Sequence, residues 1–288
     1  MVSLLAAAVL WASSFVALKM AFRAYDPMVV IFGRMAIAGL CFLFFIPTFR
    51  IPYRKGDLRY LAFMAFCEPC LYFIFEAMAI ENTTASQAGM ICAMLPLMVA
   101  IAARIFLGEV LTLRTVLGFI LAMAGVVWLS MAGESSQNAP HPVLGNFYEF
   151  VAMVCAVGYM ITLKHLCARY SPFFLTAVQA WAGSLFFLPF LFLPGTKLPT
   201  GFDPVSGMAV IYLGTFVTLG AYGAYNFGTS RIPASQAAAF VNLIPVLSVI
   251  MGWVVLGERF TVLQYPAAVM VFAGIYLSQD PRARAKGR

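Results

Sequence analysis

The sequence predicts an all-α integral membrane protein, with ten transmembrane helices arranged as two inverted five-helix repeats. Three observations carry this expectation. Of 288 residues, 63% are hydrophobic and 10% charged, where a soluble domain holds about 25% charged residues. The bilayer is therefore the solvent. Apolar runs of about 20 residues, the length that crosses a hydrocarbon core, recur along the chain. Residues 85–125 align without a gap on residues 234–274, with 12 identities in 41 positions.

The alignment sets "ASQAGMICAMLP" on "ASQAAAFVNLIP" and "LGEVLT" on "LGERFT". Upstream, Lys19 pairs with Lys164, Tyr25 with Tyr170 and Pro27 with Pro172. The shift between the two registers is absorbed in the loop "LPGTKLPTGFDP". Five helices are an odd number, so the second copy enters the membrane from the opposite face. Inverted repeats of this kind place a binding site near the midplane and alternate its access. The first repeat covers 1–131, the second 142–280, and 281–288 form a basic tail.

The spans follow in order. The first, 3–22, starts almost at Met1 with no basic leader or cleavage motif, and reads as a retained helix. Trp11 sits in its middle, away from the interfaces where Trp usually anchors, and is a candidate wall of the site. Lys19 lies near its end, where snorkelling accounts for it. The second span, 28–48, carries Arg34, a candidate for a structural ion pair.

The third span, 58–80, contains "CEPCLYFIFE". A carboxylate in hydrocarbon costs about 2.5–3.5 kcal/mol on insertion scales. Glu68, Tyr72 and Glu76 repeat every four residues and form one stripe, which must face protein or water. Pro69 removes a backbone donor and predicts a kink beside Glu68. Two readings stand: the glutamates bind a substrate ammonium or a proton, or they form buried ion pairs with Arg34 or Lys19.

The fourth span, 84–107, opens on Ser86 and Gln87, passes Pro96 and ends at Gly108 and Glu109. The serines suit helix capping, and Gln87 reaches toward the pathway. The glycine ends the helix, while Glu109 caps the next helix or bridges basic loop residues. The fifth span, 112–131, has Gly118 and Gly125, which allow close packing or dimerisation. The sixth, 146–168, offers Tyr159, the repeat-mate of Ser14. The seventh, 172–193, has Gln179 where the first copy has Arg34, and Trp181 as a weaker counterpart of Trp11. The eighth, 206–230, presents Tyr222 and Asn226 four residues apart, with Tyr225 at the place of Glu76. Carboxylates facing aromatic rings suit an amine or quaternary cation. The ninth, 234–256, repeats the fourth with Ser235, Gln236, Pro245, Gly257 and Glu258; the tenth is 261–278.

Charge sets orientation. With the N-terminus inside, the inner loops and tail hold 13 of the 18 Lys and Arg residues and the outer loops 3. This positive-inside bias predicts both termini on the cytoplasmic side. The net charge of +7 needs anionic lipid and no nucleic acid. The six cysteines fall in predicted spans and form no disulfide framework. Cys67 and Cys70 make a CxxC without further ligands nearby, so no metal is expected. Without a phosphate-binding GxxxxGK[ST] no nucleotide is expected, and no cofactor either.

The ten spans, the two copies, Trp11 and Lys19, Pro27 and Arg34, the twin "ASQ" segments and the twin "LGE" motifs resemble the EamA group of the drug/metabolite transporter superfamily. The resemblance covers nearly the whole chain. It implies movement of small metabolites, often outward, through a central cavity of helices 1–4 and 6–9, with helices 5 and 10 peripheral. The expectation is a secondary transporter exporting amino acids or related amines across a bacterial inner membrane, as monomer or homodimer, with protons as a further partner. The alternatives are a lipid or carrier-lipid flippase and a membrane-embedded enzyme. The acidic stripe argues against the first, and the missing HExxH and GxSxG motifs argue against the second.

Overall fold

Pro96 and Pro245 sit at matching places in the two copies and shape their helices in the same way. Each lacks the amide that an α-helix would pair one turn earlier. In both, the turn before the proline tightens to a 3-10 helix, Cys92–Met94 in one and Ala239–Asn242 in the other. A wider π-helical stretch recurs likewise, at Phe66–Leu71 and Leu213–Ala221. These interruptions belong to a computed structural model that describes residues 1–44, 56–109 and 111–278.

Among the described residues the chain forms helices α1 (Val2–Ala21), α2 (Pro27–Leu43), α3 (Asp57–Asn82), α4 (Ala85–Phe106), α5 (Leu113–Met131), α6 (Pro142–Leu166), α7 (Pro172–Phe192), α8 (Pro204–Thr229), α9 (Ala234–Leu256) and α10 (Gln264–Ser278). Eight are long and apolar enough to cross a membrane; α2, at 17 residues, and α10, at 15, are shorter. Arg50, Arg54, Lys55, the predicted end of the second span and the basic tail lie outside the described residues. The sixth helix starts at Pro142 rather than 146, because proline is favoured in a first turn, where its missing amide costs nothing.

The surface of the bundle is apolar, with Leu40, Phe216, Trp253 and Val254 turned outward. Charged and amide side chains such as Arg34, Glu68, Glu76 and Asn226 are buried inside. Hydrocarbon outside reverses the usual distribution of a soluble domain.

Helices α5 and α10 pack so closely that a Cβ on Gly118 would lie 2.6 Å from the Gly274 carbonyl oxygen. One on Gly125 would lie 2.8 Å from the Val271 amide. These glycines are used inside the chain and are not free for a dimer contact. Gly118→Val is expected to destabilise the protein by about 1–3 kcal/mol through overpacking. The melting temperature in detergent checks this; a wild-type value would remove the close contact from the account.

Loop contacts sort into two sets. In one, the Tyr25 hydroxyl accepts from the Asp203 amide at 2.8 Å, His141 N–H reaches the Asn82 carbonyl at 3.2 Å, and the Thr261 hydroxyl donates to the Ala132 carbonyl at 3.0 Å. In the other, Asp57 accepts from Arg169 at 2.7 Å and Tyr170 at 3.0 Å. Lys164 in this second set donates to the carbonyls of Thr229 and Ile232 at 2.9 and 2.7 Å. Lys164 therefore satisfies the last carbonyl of α8 and one in the loop after it rather than snorkelling. Lys19 likewise donates to the Asn138 carbonyl at 2.5 Å and pairs with neither Glu68 nor Glu76.

The twin glutamates differ from expectation most. Gly108 and Gly257 have φ of +71° and +68° and end α4 and α9, as glycine permits. The glutamate that follows each does not cap its own next helix. Glu258, after α9, accepts from the amides of Ala85 and Ser86 at 2.9 and 2.8 Å and from the Ser86 hydroxyl at 2.6 Å. Glu109, after α4, accepts from the amides of Ala234 and Ser235 at 3.1 and 3.4 Å and from the Ser235 hydroxyl. Each carboxylate holds the start of the matching helix in the other half, where the helix dipole favours a negative charge.

Candidate functional site

The chain kinks at Glu68. Its φ of −148° and ψ of 117° are extended, inside a helix whose other residues are not. Pro69 follows it through a cis peptide bond, and a residue before proline avoids the α region. The expected kink is present, and the carbonyl it exposes is that of Glu68 itself. Gln179 Nε2 donates to that oxygen at 3.2 Å. Gln179 Oε1 and Thr176 Oγ1 accept from Asn226 Nδ2 at 3.2 and 2.9 Å, and Asn226 Oδ1 accepts from the Tyr159 hydroxyl. The departure of the second copy from the first at position 179 thus supplies the amide that holds the kink.

Glu68, Tyr72 and Glu76 line one cavity despite the break between them. Trp11, Ser14 and Phe15 of α1, Arg34 of α2 and Cys92 of α4 line it as well. Met153 and Met160 of α6, Tyr222 of α8 and Ile244 of α9 are also part of the wall. Its volume is about 30 Å³, room for a water or two and well below the roughly 300–1,000 Å³ of a small-molecule site. The described state is therefore closed to a metabolite.

The two glutamates have different partners. Glu76 Oε2 lies 3.6 Å from Arg34 Nη1, and Glu76 Oε1 accepts from the Tyr72 hydroxyl at 3.1 Å. Arg34 Nε donates to Thr218 Oγ1 at 3.0 Å, and its guanidinium lies 4.2 Å from the centre of the Phe73 ring. This is the ion pair expected for Arg34, made with Glu76. Glu68 instead accepts from the Tyr222 hydroxyl on one oxygen, and its Oε2 has no partner. Trp11 packs on Tyr222 and Tyr225, with ring centres 5.3 and 4.8 Å apart. Trp11 Nε1 and Arg34 Nη1 are buried without hydrogen bonds.

The remaining expected site residues stand back from the cavity. Tyr159 and Asn226 form the bonded pair behind Tyr222, with the Tyr159 and Tyr222 rings 6.2 Å apart. Gln87 accepts from Asn146 Nδ2 at 2.9 Å, tied to α6 rather than turned into the cavity. Gln236 is half-buried and does not line it. Trp181 donates to the Gly39 carbonyl at 3.0 Å and ties α7 to α2. Pro96 and Pro245 shape α4 and α9 without touching the cavity.

Two residues were missed. Asn146 joins Thr83, Gln87 and Ser130 at 2.7, 2.9 and 3.0 Å. Glu149 is completely buried on α6 beside Cys92. Its signal was available: a carboxylate in the apolar run "NFYEFVAMVCAV" asks the same question as Glu68. Among the described residues no group of three or more His, Cys, Asp or Glu side chains could hold a metal, and the cysteines are free thiols.

Comparison with known proteins adds the following. The model of the EamA-like transporter family matches residues 1–131 and 143–279. An uncharacterized transporter of Archaeoglobus fulgidus is 28% identical over 268 residues, covering 93% of this chain and 94% of that protein. YetK, an uncharacterized transporter of Bacillus subtilis (strain 168), is 27% identical over 226 residues, 78% of this chain and 68% of its own length. A probable terminal-alkyne amino-acid exporter of Streptantibioticus cattleyicolor is 24% identical over 273 residues, covering 93% and 89%. A crystal structure shares the fold at a TM-score of 0.69 and 18% identity, over 100% of this chain and 98% of that one.

Proposed function

The chain belongs to the EamA-like transporter family, and from that premise we propose that it exports amino acids across the plasma membrane by alternating access. One observation carries the substrate class. Three buried polar atoms around one cavity make no hydrogen bond: Trp11 Nε1, Glu68 Oε2 and Arg34 Nη1, the last held only by its ion pair with Glu76 at 3.6 Å. Two are donors and one is an acceptor. Unpaired buried polar groups are costly, about 1–3 kcal/mol each, and a ligand relieves that cost. An amino acid matches the set, with its carboxylate taken by the guanidinium and indole and its ammonium by Glu68. The rings of Trp11 and Tyr222 offer faces to the ammonium.

Outward direction is supported by the name of the Streptantibioticus relative. Alternating access is supported by the closed cavity, which needs movement to admit a ligand, and by the matched interruptions of α3 with α8 and α4 with α9. It is also supported by the odd helix number per copy, which inverts the second half. The two sets of loop contacts fit alternate helices running in opposite directions, and the charge bias puts both termini inside. A flippase would want a basic head-group pocket; two carboxylates against one guanidinium do not supply it.

The test is thermal stabilisation in detergent by matched triplets: an amino acid, the amine lacking its carboxylate, and the acid lacking its amine. A ligand that binds only the native state raises the melting temperature with concentration. The intact amino acid is expected to stabilise at concentrations where neither analogue does. Equal stabilisation by the amine would leave Arg34 and Trp11 out of the site. Stabilisation by none of a broad set would overturn the amino-acid reading.

A further inference from the structure

Glu149 takes no part in the cavity described above. Its side chain is 0% exposed, its Oε1 accepts from Cys92 Sγ at 3.8 Å, and its Oε2 has no partner. The ion pairs among the described residues are Arg34 with Glu76 and Arg169 with Asp57, so Glu149 has no counter-ion. The titratable groups that face it are Tyr72 and Glu76 from α3 and Cys92 from α4. From α5, α8 and α9, which also touch α6, no titratable group acts on it among the described residues.

Packing does not require a carboxyl there. In the register that pairs Lys19 with Lys164, Glu149 pairs with Leu4 of α1, which is equally buried. The other half fills the place with an apolar side chain. A buried carboxyl without a counter-ion is retained for something other than stability. The ligand it could hold is narrow in kind. Calcium and magnesium ions want about six oxygen ligands or more, and here there is one carboxyl and one thiol. A proton needs one oxygen.

We propose that Glu149 is a proton-binding residue of the transport cycle, loaded from the cavity past Cys92. The proposal rests on the transporter reading above. Cys92 lines the cavity and touches Glu149, so the thiol marks the path between them. The O–H bond forms at Oε2 with a proton from cavity water when the site is open to one side. The same bond breaks, returning the proton to water, when it is open to the other. The closed cavity tolerates the neutral acid, whereas an ionised Glu149 would face the Glu76 carboxylate without a cation. Passage through the closed state is thereby tied to a bound proton.

Infrared difference spectroscopy across a pH series tests the binding itself, without any substrate. The wild type is expected to show a neutral-carboxyl band that titrates and that Glu149→Gln removes. Identical pH-difference spectra would overturn the proposal. Proteoliposomes loaded with a mixture of radiolabelled L-amino acids test the coupling. Glu149→Gln is expected to lose the response to an imposed pH gradient while keeping exchange of labelled for unlabelled amino acids. Glu149→Leu, copied from Leu4, guards against a folding defect. If it folds with a wild-type melting temperature and keeps the gradient response, the proposal is overturned. If the wild type moves none of the mixture, the amino-acid reading fails, and the infrared result alone decides Glu149.

Discussion

Glu68→Gln is expected to remove stabilisation by amino acids while leaving the unliganded protein's melting temperature close to wild type. Glutamine keeps the shape and one oxygen for the Tyr222 hydroxyl. It loses the charge that an ammonium would meet. A hydrogen bond to a charged group is worth about 1.5–3 kcal/mol, so affinity is expected to fall about 10- to 150-fold. Glu76→Gln is expected to do the reverse. It breaks the buried pair with Arg34, whose side chains are 2% and 6% exposed, and leaves a guanidinium without its counter-ion. Loss of one partner of a buried pair costs about 3–5 kcal/mol, so the protein itself weakens. Melting curves of both variants, with and without amino acid, separate the roles. If Glu68→Gln binds as the wild type does, Glu68 is not the ammonium site. If Glu76→Gln melts as the wild type does, the ion pair is not structural.

Glu258→Ala and Glu109→Ala are expected to open the protein toward opposite sides. Each carboxylate holds the first two amides and a hydroxyl of a helix in the other half. In the alternating access proposed above, one such clamp releases while the other holds. Both are engaged where the cavity is closed. Losing charge-assisted bonds worth about 1.5–3 kcal/mol shifts a two-state balance by about 10- to 150-fold. Cys92 reports this, since it is 3% exposed and lines the cavity. In a variant with Cys92 as the sole cysteine, a polar thiol reagent is expected to label faster from one side with Glu258→Ala and from the other with Glu109→Ala. Acceleration from the same side in both variants, or in neither, would make the clamps mere helix caps.

Much of the site was legible because the bilayer makes polar residues conspicuous. A glutamate in an apolar run has to face protein or water, so Glu68 and Glu76 announced themselves, and Pro69 announced the kink. The same logic applied to Glu149, which lacked an obvious stripe and a neighbouring proline. Partners were less legible. Nothing local distinguishes Arg34 reaching Glu76 from Arg34 reaching Glu68, because the choice depends on where α2 meets α3. Gln87 and Gln236 look alike in sequence, yet only Gln87 meets Asn146.

The sequence by itself determined that the chain lives in a membrane, where most of its helices run, and that Glu68 and Glu76 are buried. These follow from composition and periodicity, which act residue by residue against a uniform solvent. The tertiary structure decided which charge neutralises which, that Gln179 holds the kink, and that Gly118 packs on Gly274. It also decided that each LGE glutamate clasps the opposite half. Apart from Arg34 with Glu76, such contacts join residues more than a hundred positions apart. Their energies depend on distances of a few ångströms, which only the packing of whole helices fixes.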